Sequence, residues 1–418
     1  MIDRLPEHRP LPDDVRLRAR QRLSEGMRPA PRAGRPVLIA AGVSVLAAGA
    51  VFTSQALLGG AADVAGPPMQ HNGEFVGKDR AEVNHVERGK ADPDVLARCA
   101  AVATTHPPAA DWAPIATSRK NGTVLTAFYT PAGLFFCANT ATTTTLSAPD
   151  AQGSITGGSR QVKILFTTPS GAMAGFVSPD VKILGLSRIG DRGTDSALPA
   201  VVDGLFLAPS GFTGAQNGTK ALVDGAELAV RGVPKPTPSV VDRPLAAAGR
   251  GTPDEQKLGE CLRDRPVPDA DQFVSALTVR LSATTTMRTG RFENLLFLCV
   301  EVAGEPLRGT VHDLDDLDEV RGATIAAMPA FYDFRQEKSP EGVEYEAGTT
   351  FAAAGLLTDP RVASVTYTRP GAADVPASIA DGTFVLAAPL IDRHPAARVV
   401  VRDVAGKVLE TIKPKDVP

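Results

Sequence analysis

"LFFC", residues Leu134–Cys137, and "LFLC", residues Leu296–Cys299, are nearly the same phrase, 162 positions apart. Each ends on the second cysteine of a pair, and both pairs have one spacing: Cys99 and Cys137 are 38 positions apart, as are Cys261 and Cys299. The first cysteines are framed alike, by "LARC" (96–99) and "LGEC" (258–261). Farther along, "VVDGLFLAP" (201–209) is echoed by "IADGTFVLAAP" (379–389), and "ALVDGAELAV" (221–230) more loosely by "VVVRDVAGKVLE" (399–410). Echoes in the same order describe two diverged copies of one module. The offset grows from 162 at the cysteines to 178 at Asp203-Gly204 and Asp381-Gly382, so the second copy has gained about sixteen residues in between.

Within each copy a short helix is announced by its cap. Asp92-Pro93 and Thr252-Pro253 each place a side-chain acceptor before a proline at the first helical position, and Glu255 completes a capping box with Thr252. The first cysteine of each pair rides on this helix. The second lies in an apolar run, "TAFYTPAGLFFCAN" or "NLLFLCVEV", which reads as a buried strand. Four cysteines allow three pairings, and duplication selects the one that keeps each bridge within its copy, Cys99–Cys137 and Cys261–Cys299. The rest of each copy reads as β: "QVKILFTTP", "VKILGLSRIG" and "AVVDGLFLAP" in the first, "VASVTYTRPG" and "GTFVLAAPL" in the second. Asp224-Gly225 suits the turn of a hairpin in "LVDGAELAV".

Hydrophobic residues at 43% and charged residues at 22% are globular proportions, and 39 glycines and 35 prolines beside 5% aromatics favour many turns and small modules. The net charge of −3 hides an asymmetry: residues 1–35 hold nine arginines against five acids. "PVLIAAGVSVLAAGAVFTSQALLGG" follows directly, and no charge appears again until Asp63. A run of roughly 20 apolar residues is long enough to span the hydrocarbon core of a bilayer. A cleaved signal peptide is the competing reading, with small residues in "GGAAD" near a possible cleavage point. Arginines ahead of the run place the N-terminus in the cytoplasm and residues 60–418 outside it. All four cysteines then fall where disulfides persist.

The expected fold class is α+β: one N-terminal transmembrane helix, then two tandem, mainly antiparallel β modules, each with a short disulfide-stapled helix. The expected divisions are a cytoplasmic basic segment 1–35, the helix 36–59, a stalk 60–90, module 1 at 91–236, a linker 237–251 and module 2 at 252–418. Membrane lipids are the expected partners of residues 36–59.

The search for chemistry yields little. No phosphate-binding loop, dinucleotide fingerprint, H-E-x-x-H or G-x-S-x-G is present, and "GLSRIG" (185–190) reads as a strand with a turn. The six histidines (8, 71, 85, 106, 312, 394) are scattered, with none at ligand spacing from a cysteine. "HDLDDLDE" (312–319) offers the one set of oxygen ligands suited to calcium, Asp313, Asp315, Asp316 and Asp318. It lacks the glycine of an EF-hand loop and falls in the stretch that the second copy has gained. The competing reading is a solvated helix start with Leu314 and Leu317 turned inward. No catalytic residue, cofactor or nucleic-acid partner is expected, because the only basic segment lies against the apolar run.

The head "RLPEHRPLPDDVRLRAR", a single Ala/Val/Leu/Gly-rich apolar run and an outer part with phrases like "VVDGLFLAP" give the chain a layout that resembles actinobacterial single-pass membrane proteins whose function is not established. Some of these are similar in layout to membrane-bound anti-sigma factors. The chain has no His/Cys zinc signature of the kind common in anti-sigma domains. The expected function is a non-enzymatic binding module of the cell envelope that engages an envelope protein or ligand. The alternative is a transmembrane regulator whose head contacts a cytoplasmic partner, and "PDDVRLRARQRL" could supply an amphipathic helix for it.

Overall fold

The repeated phrase is buried on both of its faces, and that fact organises the whole molecule. Successive side chains of a strand point to opposite sides. Phe135 and Cys137 therefore meet Val95, Cys99, Trp112 and Phe128 on one side, while Leu134, Phe136 and Ala138 meet Phe166, Phe176 and Leu207 on the other. In the second copy Leu295, Phe297 and Cys299 face Leu258, Cys261 and Phe273, and Leu296, Leu298 and Val300 face Ala326, Ala354 and Val385. A strand with two apolar faces needs a layer on each side of it.

The computed structural model describes residues 85–150, 161–181, 183–190, 193–210, 219–223, 226–230, 233–263, 265–317, 320–338, 344–388 and 396–414. The first copy begins with β1 (His85–Arg88) and α1 (Pro93–Val102), followed by β2 (Ala113–Lys120), β3 (Thr123–Thr130), β4 (Gly133–Asn139) and β5 (Thr143–Leu146). Next come β6 (Val162–Thr167), β7 (Met173–Val177), β8 (Leu184–Gly190), β9 (Gly193–Ala197), β10 (Ala200–Val202), β11 (Leu205–Ala208), β12 (Thr219–Val223), β13 (Ala226–Ala229) and β14 (Val240–Val241). They form three antiparallel sheets in the orders β1-β2-β3-β4-β5-β14, β10-β11-β7-β6 and β13-β12-β8-β9.

The second copy holds α2 (Pro253–Leu262), β15 (Val274–Arg280), β16 (Thr285–Phe292), β17 (Leu295–Val302), β18 (Arg308–Asp313), β19 (Val320–Arg321), β20 (Ile325–Lys338) and β21 (Glu344–Leu357). It ends with β22 (Ser364–Thr368), β23 (Val375–Pro376), β24 (Ser378–Ala380), β25 (Thr383–Ala388), β26 (Arg398–Arg402) and β27 (Val408–Ile412). Its sheets run β15-β16-β17-β18, β19-β20-β21-β25-β24 and β23-β22-β26-β27. Leaving aside β1, β14 and β19, the strand orders of the two copies match one for one. Each copy is thus a stack of four layers: a helix, then three sheets, with an apolar core in each of the three gaps.

This architecture corrects the expected α+β class with a transmembrane helix. The described residues contain two α-helices of ten residues each, and the remaining layers are strands. The protein is mainly β because one short amphipathic helix covers a single face of a single sheet, and every other apolar face is covered by another sheet. No helix among the described residues is long and apolar enough to cross a membrane. The apolar run 36–59 and the basic head 1–35 lie outside the described residues.

The helices form where their caps were read. Asp92 accepts from the amide of Asp94 ahead of Pro93, and Thr252 and Glu255 close a capping box ahead of Pro253. Cys99–Cys137 and Cys261–Cys299 are both bonded, with Cα separations of 6.2 Å and 6.0 Å, and no cysteine is free. Each bridge pins its helix to the central strand of the first sheet. Asp203-Gly204 and Asp381-Gly382 take positive φ at both residues, the tight turn that joins β10 to β11 and β24 to β25.

The pairing locates the added residues. Gly175 lies between Ile164 and Phe206 in the middle sheet of the first copy. Gly355 lies between Ala327 and Phe384 in that of the second. A Cβ at Gly175 would stand 2.0 Å from the Lys163 carbonyl and 2.9 Å from the Phe206 ring, and one at Gly355 2.2 Å from the Ala326 carbonyl and 2.6 Å from the Phe384 ring. These glycines are equivalent, each letting a phenylalanine lie flat across the neighbouring strand. The offset between copies is 163 at Ile164 and Ala327 but 180 at Gly175 and Gly355, so the gain lies in the β20–β21 hairpin. The acidic run at 312–319 precedes that hairpin, which corrects its assignment to the insertion.

Two segments read as spacers are parts of a sheet. Residues 85–88, in the stretch read as a stalk, pair with Ala116–Arg119 as β1. Val240 and Val241, in the stretch read as a linker, pair with Thr144 and Thr143 as β14, the outermost strand of the first copy. The Thr237 amide also donates to the Thr167 carbonyl at 2.8 Å, and Ser239 Oγ meets Thr145 Oγ1 at 2.7 Å.

Candidate functional site: the seam between the copies

Two latches join the copies. The first starts from the Asn121-Gly122 turn between β2 and β3, where both residues have positive φ. The Asn121 amide donates to Asp313 Oδ2 at 2.8 Å, and the Asp313 amide donates back to Asn121 Oδ1 at 3.2 Å. Asn121 Nδ2 donates to Ser210 Oγ, which fixes the side chain from behind. Gly122 is required on a second ground: a Cβ there would stand 2.7 Å from Leu295 Cδ1. Lys120 Nζ lies 3.8 Å from Asp316 Oδ1 beside this latch.

The second latch is Asp269, a non-glycine residue with φ of 51°. Its carboxylate accepts from Thr140 Oγ1 at 2.7 Å, from the amides of Ala141 at 2.9 Å and Thr142 at 3.3 Å, and from Thr142 Oγ1. One carboxylate thus gathers the whole β4–β5 loop, and charge-assisted bonds of this kind are the stronger ones. Asp269→Ala leaves these donors unmatched. The expected result is that the single cooperative melt of the chain divides into two transitions in calorimetry, while both bridges stay intact.

Between the latches lies a cleft of about 230 Å³ lined by Asp92, Asp94, Arg98, Arg119, Asn139 and Glu293, among others. Its wall is polar and of mixed charge, and both copies contribute to it. Several of its charges already have partners. Asp92 caps α1, and Asp94 pairs with Arg243. Arg98 is buried and donates Nε and Nη2 to Asp242 at 2.6 Å and 2.9 Å, Nη1 to the Thr140 carbonyl at 2.7 Å, and Nη2 to the Thr143 carbonyl at 3.1 Å. Burial pushes the Asp242 carboxyl up, but its hydrogen bond to Arg98 and the charge of that guanidinium outweigh this and hold it below its ordinary value. What the lining offers is carboxylate, guanidinium and amide groups, from Asp92, Asp94 and Glu293, from Arg98 and Arg119, and from Asn139.

The residues singled out in the sequence go to different places. The four cysteines are buried in the two bridges. Asp313 caps a short 3-10 turn, accepting from the Asp316 amide through Oδ1 while Oδ2 serves Asn121. Asp316 faces Lys120, Asp315 pairs with Arg321, and Leu317 is buried beneath them. Asp318 lies outside the described residues. Of the calcium candidates, Asp313 and Asp316 are parts of the seam, and among the described residues no group of three His, Cys, Asp or Glu could hold a metal ion.

The seam residues Asn121, Asp269, Arg98 and Asp242 were not singled out in the sequence. Asn121-Gly122 was legible as a hairpin turn, and Arg98 as a charge beside Val95 and Cys99 on the apolar stripe of a helix. Asp269 carries no local signal. No protein-family model, curated protein or solved structure matches the chain.

Proposed function

We propose that this chain is a non-enzymatic binding module of the cell envelope, in which two duplicated β modules are joined by the two latches and offer the polar cleft at their seam to an extracytoplasmic protein or ligand. The observation that carries the reading is the pair of buried bridges together with the latched seam. Buried bridges that each staple a helix to a sheet support a place in an oxidising compartment, where disulfides form and persist. A surface fixed by latches meets a partner without the cost of ordering it on binding.

Two measurements test this reading. Alkylation of thiols in denaturant, after acid quenching of cells and without prior reduction, is expected to label none of the four cysteines, and labelling of both pairs would place the protein in a reducing compartment and sink the proposal. The oxidised full chain, cross-linked in envelope extract, is expected to capture a partner that Asp269→Ala loses. Equal capture by Asp269→Ala would remove the seam from the binding surface.

A further inference from the structure

The β20–β21 hairpin, the lengthened counterpart of β6–β7, is longer than the sheet that carries it. β20 and β21 are 14 residues each. The neighbour of β20 reaches no farther than Ala327, and the neighbour of β21 no farther than Phe351. Beyond those points, Phe331–Lys338 and Glu344–Thr350 are paired only with each other among the described residues. At about 3.3 Å per residue this is an arm some 25 Å long.

A two-stranded ribbon is marginal in water by itself, and an open strand edge is a template for another strand. The pairing shows irregularities between Pro329 and Phe331 and between Asp333 and Phe334. At the first of these the extra residue, Ala330, is on β20; at the second, where Asp333 faces Thr350 and Phe334 faces Gly348, it is Thr349 on β21. Phe331–Lys338 is thus an unbroken edge of eight residues, "FYDFRQEK", with no proline in it.

That edge is complementary to itself. If two such strands run antiparallel about a twofold axis at Phe334, Asp333 stands opposite Arg335 twice, Tyr332 opposite Gln336 and Phe331 opposite Glu337. Moving the axis half a step, to between Phe334 and Arg335, leaves no opposite charges facing. Moving it to Arg335 sets Asp333 against Glu337, and the registers farther along that oppose Asp333 to Lys338 or Arg335 to Glu337 leave only residues 333–338 or 334–338 paired, against 331–337 about Phe334. The outer edge of β21 has no such match, because residues 344–350, "EYEAGTT", contain two acids and no base. Opposed unlike charges stabilise a cross-strand pair and like charges destabilise it.

We infer that two copies of this chain join arm to arm, antiparallel along the open edge of β20, with Phe334 on the twofold axis. The interface is isologous and closes at two copies. It is separate from the seam, and its failure leaves the proposed function standing.

Sedimentation of the purified full chain over a range of concentrations is expected to give a monomer–dimer equilibrium. Asp333→Arg and Arg335→Asp should each raise the dissociation constant about tenfold, and the double variant should restore it, since the two unlike pairs re-form with reversed sign. Melting temperatures within a degree or so of the parent confirm that each variant is folded. Under mild oxidation, Phe334→Cys should form an interchain disulfide, and Gln336→Cys should not. A chain that is monomeric at every concentration overturns the inference. So does a dimer that both single reversals leave intact, or one that cross-links through position 336 and not 334.

Discussion

Replacing Cys99 and Cys137 together by serine is expected to cost about 4 kcal/mol, and replacing Cys261 and Cys299 about the same, since each bridge closes a loop of similar length. The two bridges lie in different copies, so their losses should nearly add. Typical domains are stable by only 5–15 kcal/mol, and a chain with neither bridge is expected to be largely unfolded at 37 °C. The local setting sharpens the expectation. Both cysteines of the first bridge are fully buried, and Asn139 Nδ2 lies 3.3 Å from each sulfur. Denaturant midpoints in the presence and absence of reductant are the measurement. Midpoints that do not move on reduction would mean that the layered cores hold the modules without their staples.

Arg98→Ala is expected to cost 3–5 kcal/mol, the usual loss when one partner of a buried ion pair is removed. Its side chain is 10% exposed and that of Asp242 is 13% exposed, so water screens the pair little. The variant strands the Asp242 carboxylate and deprives the Thr140 and Thr143 carbonyls of a donor. Lysine should not rescue it, because a single ammonium cannot span a carboxylate and two carbonyls as the guanidinium fork does.

The pair also sets a pH dependence. The folded Asp242 carboxyl lies below its ordinary 3.8, so its contribution is present above that value and is lost as pH falls through the folded pKa. Glu410 acts in the same direction in the second copy. Burial pushes its carboxyl up, but the Thr324 hydroxyl and the Ala323 and Thr324 amides pull it below the ordinary 4.5. Acid should therefore destabilise the parent. In Arg98→Ala, Asp242 loses the hydrogen bond and the charge that oppose its burial most strongly, so the stability gap between parent and variant should narrow between pH 7 and pH 3. Urea titrations at several pH values read this, and a gap that stays constant would show that Arg98 acts through packing instead of charge.

How much of this was legible follows from where each signal lies along the chain. The duplication, the bridges and the helix caps were readable because each is written in a few adjacent residues or in a spacing that recurs. The apolar run that ends on Cys137 read as a buried strand; that both of its faces are buried is what the structure adds. The apolar residues of Leu184–Leu186 and Val399–Val401 do not say which sheet covers which, so a third layer of strands in each copy was not foreseen. The added residues could be counted from two offsets but not placed, because the glycines that mark the hairpin are recognisable only by the carbonyl each one faces. Asn121 and Asp313 lie 192 positions apart, and Asp269 meets a loop 127 to 129 positions away. Contacts of that range leave no pattern in a single sequence.

Val240 and Val241 belong to the first copy in space and to the approach of the second in sequence. On a ribosome the order of events matters. When Ala229 has emerged, every other strand of the first copy is available, yet the edge of β5 is bare and Arg98 has no counter-ion. Asp242 arrives thirteen residues later and closes both at once. The first copy therefore finishes folding only after synthesis has passed its apparent end. A truncation at the boundary read from sequence, after residue 236, removes the keystone of the domain it was meant to isolate.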